Sequence, residues 1–324
     1  MVEAAEGRTA LREPQTGRDV PQQPTDLPRS AWPGVLKRTI REFQADQLTD
    51  LAAALTYYGV LAIFPMLIVI VSILGLIGRS VTQPLVANLN TVAPGPAKTI
   101  ISNAIQNVET HQGTAGVLFV VGLLVALWSA SSYVAAFMRA SNAVWDVEEG
   151  RPIYKTLPLR VGVTAVTVTL LTLSAIAVVF TGPLAQKLGG VIGVGSSAVL
   201  IWDIAKWPVM LLIVALILAI LYYTGPNVRQ PGFRWVTPGG IFAVLAWIVV
   251  SGAFAFYVAN FASYNKTYGA LGSVVAFLVW LWLTNVVILL GAELNAEMQR
   301  ERQIVGGHPA DEEPYLPLRD APKT

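Results

Sequence analysis

Residues 270–292 carry no charged side chain, and Leu, Val, Trp, Ile and Phe fill most of their positions. About 20 such residues, rising about 1.5 Å each, cross a hydrocarbon core of roughly 30 Å. A helix of a water-soluble enzyme keeps a polar stripe, and this run has none, so it reads as a membrane span. Five earlier runs share the pattern: 51–78, 114–138, 159–183, 198–223 and 238–259. The expectation is an all-α, polytopic membrane protein with six transmembrane helices. Glu293, Glu297, Arg300, Glu301 and Arg302 follow the last run at helical spacing and are expected in water.

Between the runs the pattern changes. Residues 1–30 hold four Arg and four Pro and no apolar stretch, too little to offset chain entropy on burial. They, and residues 303–324, are expected to be disordered cytoplasmic tails flanking a membrane domain of 31–302. The amino-terminal stretch also lacks the apolar core of about 7–15 residues that signal peptides carry, so it is expected to be retained. Leu36, Ile40 and Phe43 fall at i, i+4 and i+7, with Lys37, Arg38 and Arg41 between them. That predicts an amphipathic helix lying on the membrane face, its cations towards anionic headgroups. In 79–113 the stripes Val81, Leu85, Leu89, Val92 and Ile100, Ala104, Ile105, Val108 predict a helical outer cap. Residues 184–206, rich in glycine, read as a loop or a re-entrant segment.

Charge orients the bundle. Placing both termini in the cytoplasm puts 17 Lys and Arg on the inner segments and 5 on the outer ones. That asymmetry predicts six helices with both termini cytoplasmic. The net charge of +2 provides no broad basic surface, so no nucleic acid partner is expected. Absence of cysteine removes disulfides, thiolate zinc sites and cysteine nucleophiles. His111 and His308 are the two histidines, and this topology sets them on opposite sides of the bilayer. They cannot share the two-metal site that RNA hydrolysis uses, so no metal, cofactor or enzymatic activity is expected.

Residues 51–78, 113–138, 161–186, 207–228, 235–265 and 267–292 hold no Asp, Glu, Lys or Arg, which argues against a proton relay at mid-membrane. Asp203 and Lys206, at i and i+3 beside Trp202 and Trp207, read as an interfacial ion pair. Polar residues gather instead towards the cytoplasmic half. Topology brings Tyr57, Tyr58, Arg139, Asn142, Tyr222, Asn285 and Glu293 to similar depths. They are a candidate vestibule open to the cytoplasm or inner leaflet, with Arg139 pairing Glu293 or an anionic lipid headgroup. The competing reading is interfacial tyrosines, a snorkelling arginine and an asparagine bonded to a neighbouring helix. Ser129, Ser132 and Ala136 form a small-residue stripe suited to close helix packing.

Several stretches together resemble one known family: LAAALTYYGVLAIFP (51–65), WSASSYVAAFMRASNAVWDVEEGRP (128–152), Tyr222-Tyr223-x-x-Pro226, Pro238-Gly239 and YGALGSVVAFLVWLWLTNVVILLGAELNAE (268–297). Over roughly 35–302 the chain resembles the YihY/BrkB family of bacterial inner-membrane proteins, formerly called ribonuclease BN. The resemblance implies six transmembrane helices and a cytoplasmic-membrane location. Members look like exporters or lipid-handling proteins, some linked to virulence or envelope assembly. The leading expectation is therefore movement or handling of a lipidic or amphiphilic substrate without ATP, with membrane lipids as partners. The alternative is a non-transporting scaffold for envelope-assembly partners or a homo-oligomer, and ribonuclease activity ranks third.

Overall fold

The computed structural model describes residues 20–77, 112–179, 196–260 and 265–322. Seven α-helices follow one another there: α1 (Trp32–Ala45), α2 (Leu48–Ile77), α3 (Gln112–Val144), α4 (Ile153–Val179), α5 (Ser196–Thr224), α6 (Thr237–Asn260) and α7 (Asn265–Val305). Among the described residues the only β pairing is one bridge between Val228 and Leu318. Five stretches are long and apolar enough to cross a membrane: Val120–Val144, Ile153–Ser174, Ile204–Thr224, Phe233–Asn260 and Val274–Val305. α2 adds the apolar stretch Leu48–Ile63. Leu124, Trp128, Leu212, Val249 and Phe256 stand exposed on the outside of the bundle. A surface so apolar is stable against lipid tails, while each helix satisfies its own backbone.

Buried positions concentrate at one end of the bundle. Leu48, Ala52 and Leu55 of α2 meet Phe137 and Ala140 of α3, Leu221 and Tyr222 of α5, Val244 of α6 and Leu289 of α7. α2 lies along α3, and α7 packs on α6, α2 and α1. The cap expected at 79–113 falls outside the described residues, apart from the two that open α3. So do residues 184–195 of the glycine-rich stretch, whereas 196–206 are helical.

Three expectations are corrected. First, Glu293 and Glu297, on the expected helical extension that carries α7 to Val305, are not in water: they are 1% and 3% exposed. α1 covers that face of the extension, so its carboxylates become interior. Second, α1 buries Val35 and Thr39 and turns Leu36 and Ile40 away from the protein, 48% and 61% exposed. Arg38, expected at the headgroups, instead reaches Glu297 (2.5 Å) and Glu301 (2.6 Å) on α7. Third, the described parts of the tails pack on the bundle. Leu27 packs with Val35, Trp235, Leu294 and Met298, and Arg302 Nε donates to the Pro21 carbonyl at 2.8 Å. Residues 309–322 run back over the ends of α3 and α5.

Candidate functional site

The carboxyl end of a helix leaves its last carbonyls unpaired and carries the negative end of the helix dipole. At α5 two arginines answer this. Arg151 Nη1 donates to Thr224 O (3.0 Å) and Nη2 to Gly225 O (2.6 Å). Arg319 Nη2 donates to Tyr223 O (2.6 Å), and its Nε to Val228 O (2.9 Å). Glu149 grips Arg151 with both carboxylate oxygens, each at 2.7 Å. Asn142 Nδ2 donates to Glu149 Oε2 (3.0 Å), while its Oδ1 accepts from the Asn227 amide (2.7 Å). Asn227 Nδ2 then bonds the carbonyls of Glu148 (3.0 Å) and Asp320 (2.8 Å). One polar knot thus ties α3, the 145–152 connector, the exit of α5 and the carboxy-terminal segment. Burial pushes the Glu149 carboxyl up, but the hydrogen bonds and charge of Arg151 prevail and hold it below the usual glutamate range.

Beside the knot lies an acidic face. Glu293, Glu297 and Glu301 recur at four-residue spacing and so share one side of α7. Arg38 engages the latter two, and Arg300 stands 3.5 Å from Glu297 and 3.7 Å from Glu42. Glu293 Oε2 is buried and has no hydrogen-bond partner among the described residues. At the corner between α1 and α2, burial together with the charges of Asp146 and Glu42 pushes Asp46 up to about 7. Asp146, just past α3, is raised by burial and then by Glu313 and Glu42. A small cleft between Trp145, Asp146, Glu297, Arg300, Glu313 and Tyr315 opens on this face.

The seven residues expected to line a vestibule separate into distinct settings. Tyr57 is 61% exposed and meets Tyr58 edge-on at 5.3 Å. Arg139, also exposed, lies 5.7 Å over the Tyr58 ring and forms no ion pair with Glu293. Asn285, fully buried, donates to Thr56 Oγ1 (3.0 Å) and accepts from Tyr133 Oη (2.8 Å). Tyr222 donates to Ile288 O (2.7 Å) and stacks on Phe137 at 6.1 Å. Asn142 belongs to the knot and Glu293 to the acidic face. On the small-residue stripe Ala136 is buried, Ser129 is half-buried, and Ser132 bonds back to the Trp128 carbonyl at 3.3 Å. Lys206 is buried with its ammonium 5.8 Å from the Trp207 ring. The side chain of Asp203 lies outside the described residues.

Arg151, Glu149, Asn227, Arg319 and Tyr133 are structural participants that the sequence reading did not single out. The charged run between two apolar stretches, Glu148-Glu149-Gly150-Arg151-Pro152, was the available signal for the knot. Nothing local marks Arg319. Among the described residues, no group of three or more His, Asp or Glu is placed to hold a metal ion.

The family described as Virulence factor BrkB matches residues 39–315. The match takes in the knot and the acidic face except Arg38, Arg319 and Asp320. The chain is 28% identical over 280 residues to YfkH of Bacillus subtilis, a protein named as ribonuclease-like, covering 86% of this chain and 98% of that one. It is 31% identical over 270 residues to a UPF0761 membrane protein of Alkalilimnicola ehrlichii, covering 78% of this chain and 55% of that one. With a UPF0761 membrane protein of Xanthomonas campestris it shares 27% identity over 275 residues, 81% of this chain and 60% of that one. The chain therefore spans less than two thirds of these UPF0761 relatives. No solved structure matches it.

Proposed function

The chain belongs to the virulence factor BrkB family of membrane proteins, and on that premise we propose that it moves or handles a lipidic or amphiphilic substrate in a bacterial inner membrane, without ATP. α2 supplies a sixth span beside the five, both termini face the cytoplasm, and the Leu36–Ile40 stripe of α1 rests in the headgroup layer. The observation that carries the reading is the exposed step formed by Arg139, Tyr58 and Tyr57 on the outside of the α2–α3 seam. A guanidinium binds phosphate oxygens in pairs, and tyrosines favour the boundary between headgroup and tail. A phospholipid would rest its phosphate on Arg139 and lay its chains along the bare apolar flanks above. Asn285 with Thr56 and Tyr133 supplies a polar station deeper in the bundle.

Reconstitution in liposomes tests this. Labelled phospholipid is expected to cross faster with the protein than without it, and Arg139→Ala to slow the crossing while the protein still inserts. A scaffold would leave lipid movement unchanged and co-purify with a partner from the envelope, and that result would reject the proposal.

A further inference from the structure

An ionised carboxylate is an acceptor of several hydrogen bonds, and leaving one buried without donors costs several kcal/mol by general estimates. Glu293 is in that position: it is 1% exposed, and its Oε2 has no hydrogen-bond partner among the described residues. Its surroundings do not supply a counter-charge. Glu42 and Asp46 face it from α1 and the α1–α2 corner, Asp146 from the end of α3, and Glu297 from its own helix. Glu313 of the carboxy-terminal segment adds to the same field at Asp46 and Asp146. The nearby cations are already engaged: Arg38 with Glu297 and Glu301, and Arg300 with Glu297 and Glu42. Like charges so close, in a poorly solvated place, cannot all be ionised together. A neutral carboxylic acid fits where a carboxylate does not.

The acid also has a route to water. Asp46, half-buried at the α1–α2 corner, is the charge that acts most strongly on it, and burial with the charges of Asp146 and Glu42 pushes its own carboxyl up to about 7. A group poised there exchanges protons readily in both directions.

We propose that Glu293 is a proton-binding site of this protein, loaded through Asp46 from the aqueous face that carries α1. In the loading step the Asp46 carboxylic acid releases its proton and the Glu293 carboxylate takes one up, relayed by water. Asp46 becomes a carboxylate and then takes a proton from hydronium, releasing water; only O–H bonds form and break. If lipid movement is driven, this site gives it a coupling ion. On that point alone the inference rests on the transport reading above.

The test is infrared difference spectroscopy of the full chain reconstituted in vesicles, following a pH jump. At neutral pH the wild type is expected to show the carbonyl stretch of a buried protonated carboxyl group. Glu293→Gln, which keeps the shape of the neutral acid, is expected to fold normally and lose that band. Asp46→Asn is expected to keep the band but to slow reprotonation about tenfold or more. A wild-type spectrum without the band overturns the proposal, as does a band that persists in Glu293→Gln; the first result needs no variant to fold. The two readings fail separately. Lipid movement that is absent while the band is present removes the transport reading, and intact movement without the band removes only the proton site.

Discussion

Gly239 and Gly291 meet backbone against backbone where α6 begins beside α7. A Cβ added at 239 would sit 2.1 Å from the Gly291 carbonyl oxygen, and one at 291 would sit 2.6 Å from that of Gly239. The approach lets Asn295 cap the start of α6, accepting from the Gly239 amide (2.8 Å) and donating to Val236 O (3.0 Å). Backbone cannot yield as a flexible side chain does, so either Gly→Ala change forces the helices apart. The expected cost is about 1–3 kcal/mol, the usual range for overpacking. Thermal unfolding in detergent reads it as a lower midpoint, and an unchanged midpoint would mean the two helices do not approach so closely.

The knot makes a sharper claim about one side chain. Arg151 satisfies Glu149 and two helix-end carbonyls at once, so Arg151→Ala takes this donor from both carbonyls and leaves Glu149 only Asn142 and the backbone amide of 151. About 3 kcal/mol is expected, the low end for breaking a buried pair, because the Glu149 side chain is still 34% exposed. Arg151→Lys should recover little, since one ammonium cannot span a carboxylate and two carbonyls. The pH dependence follows from Glu149, whose folded-state value is depressed. Its contribution is complete above the ordinary glutamate range and is lost as pH falls through the folded value. Acid unfolding should therefore begin at higher pH in a Glu149→Gln comparison only if other carboxylates carry the effect; if Glu149 carries it, the variant loses part of the acid-dependent step.

Asp46 has the opposite sign. Its folded value, about 7, lies above that of the unfolded chain, so its contribution is complete below the ordinary aspartate range and fades as pH rises through about 7. Wild-type midpoints should decline over that window, and Asp46→Asn should flatten the decline and raise the midpoint at neutral pH. A variant whose curve runs parallel to the wild type would place the decline on Asp146 or another group.

The spans were legible because lipid is a permissive judge: any run of about 20 apolar residues without charge satisfies it, whatever its neighbours. Helix ends were less legible. Glu293 to Arg302 looked like a water-exposed extension because sequence shows the charges but not α1 folding back over them. Asn285 was recognisable as a polar residue in an apolar helix, yet its partners Thr56 and Tyr133 lie on two other helices. Arg139 and Glu293 were matched by depth alone, and depth does not fix azimuth: Arg139 faces out over Tyr58 while Glu293 faces in. Arg319 sits 91 residues from the Val228 carbonyl it caps, a distance over which no local pattern speaks.

That long-range cap makes the carboxy-terminal segment part of the fold rather than an appendage. Arg319 holds the Tyr223 and Val228 carbonyls, its amide donates to Asn227 O at 3.0 Å, and Arg229 N donates to Pro317 O at 2.8 Å. Leu316 is buried, and Lys155 reaches Asp320 at 2.5 Å. The Lys155 pair is exposed and contributes little, whereas unpaired helix-end carbonyls each cost about 1–3 kcal/mol where water cannot replace the lost donor. Deleting residues 309–324 should therefore lower the unfolding midpoint more than Lys155→Ala does, and Arg319→Ala should reproduce most of the loss. Limited proteolysis separates this from a tail that merely rests on the surface: the deletion should open the 145–152 and 225–232 connectors to cleavage. Equal protection of both connectors with and without the segment would show that the cap does not support the knot.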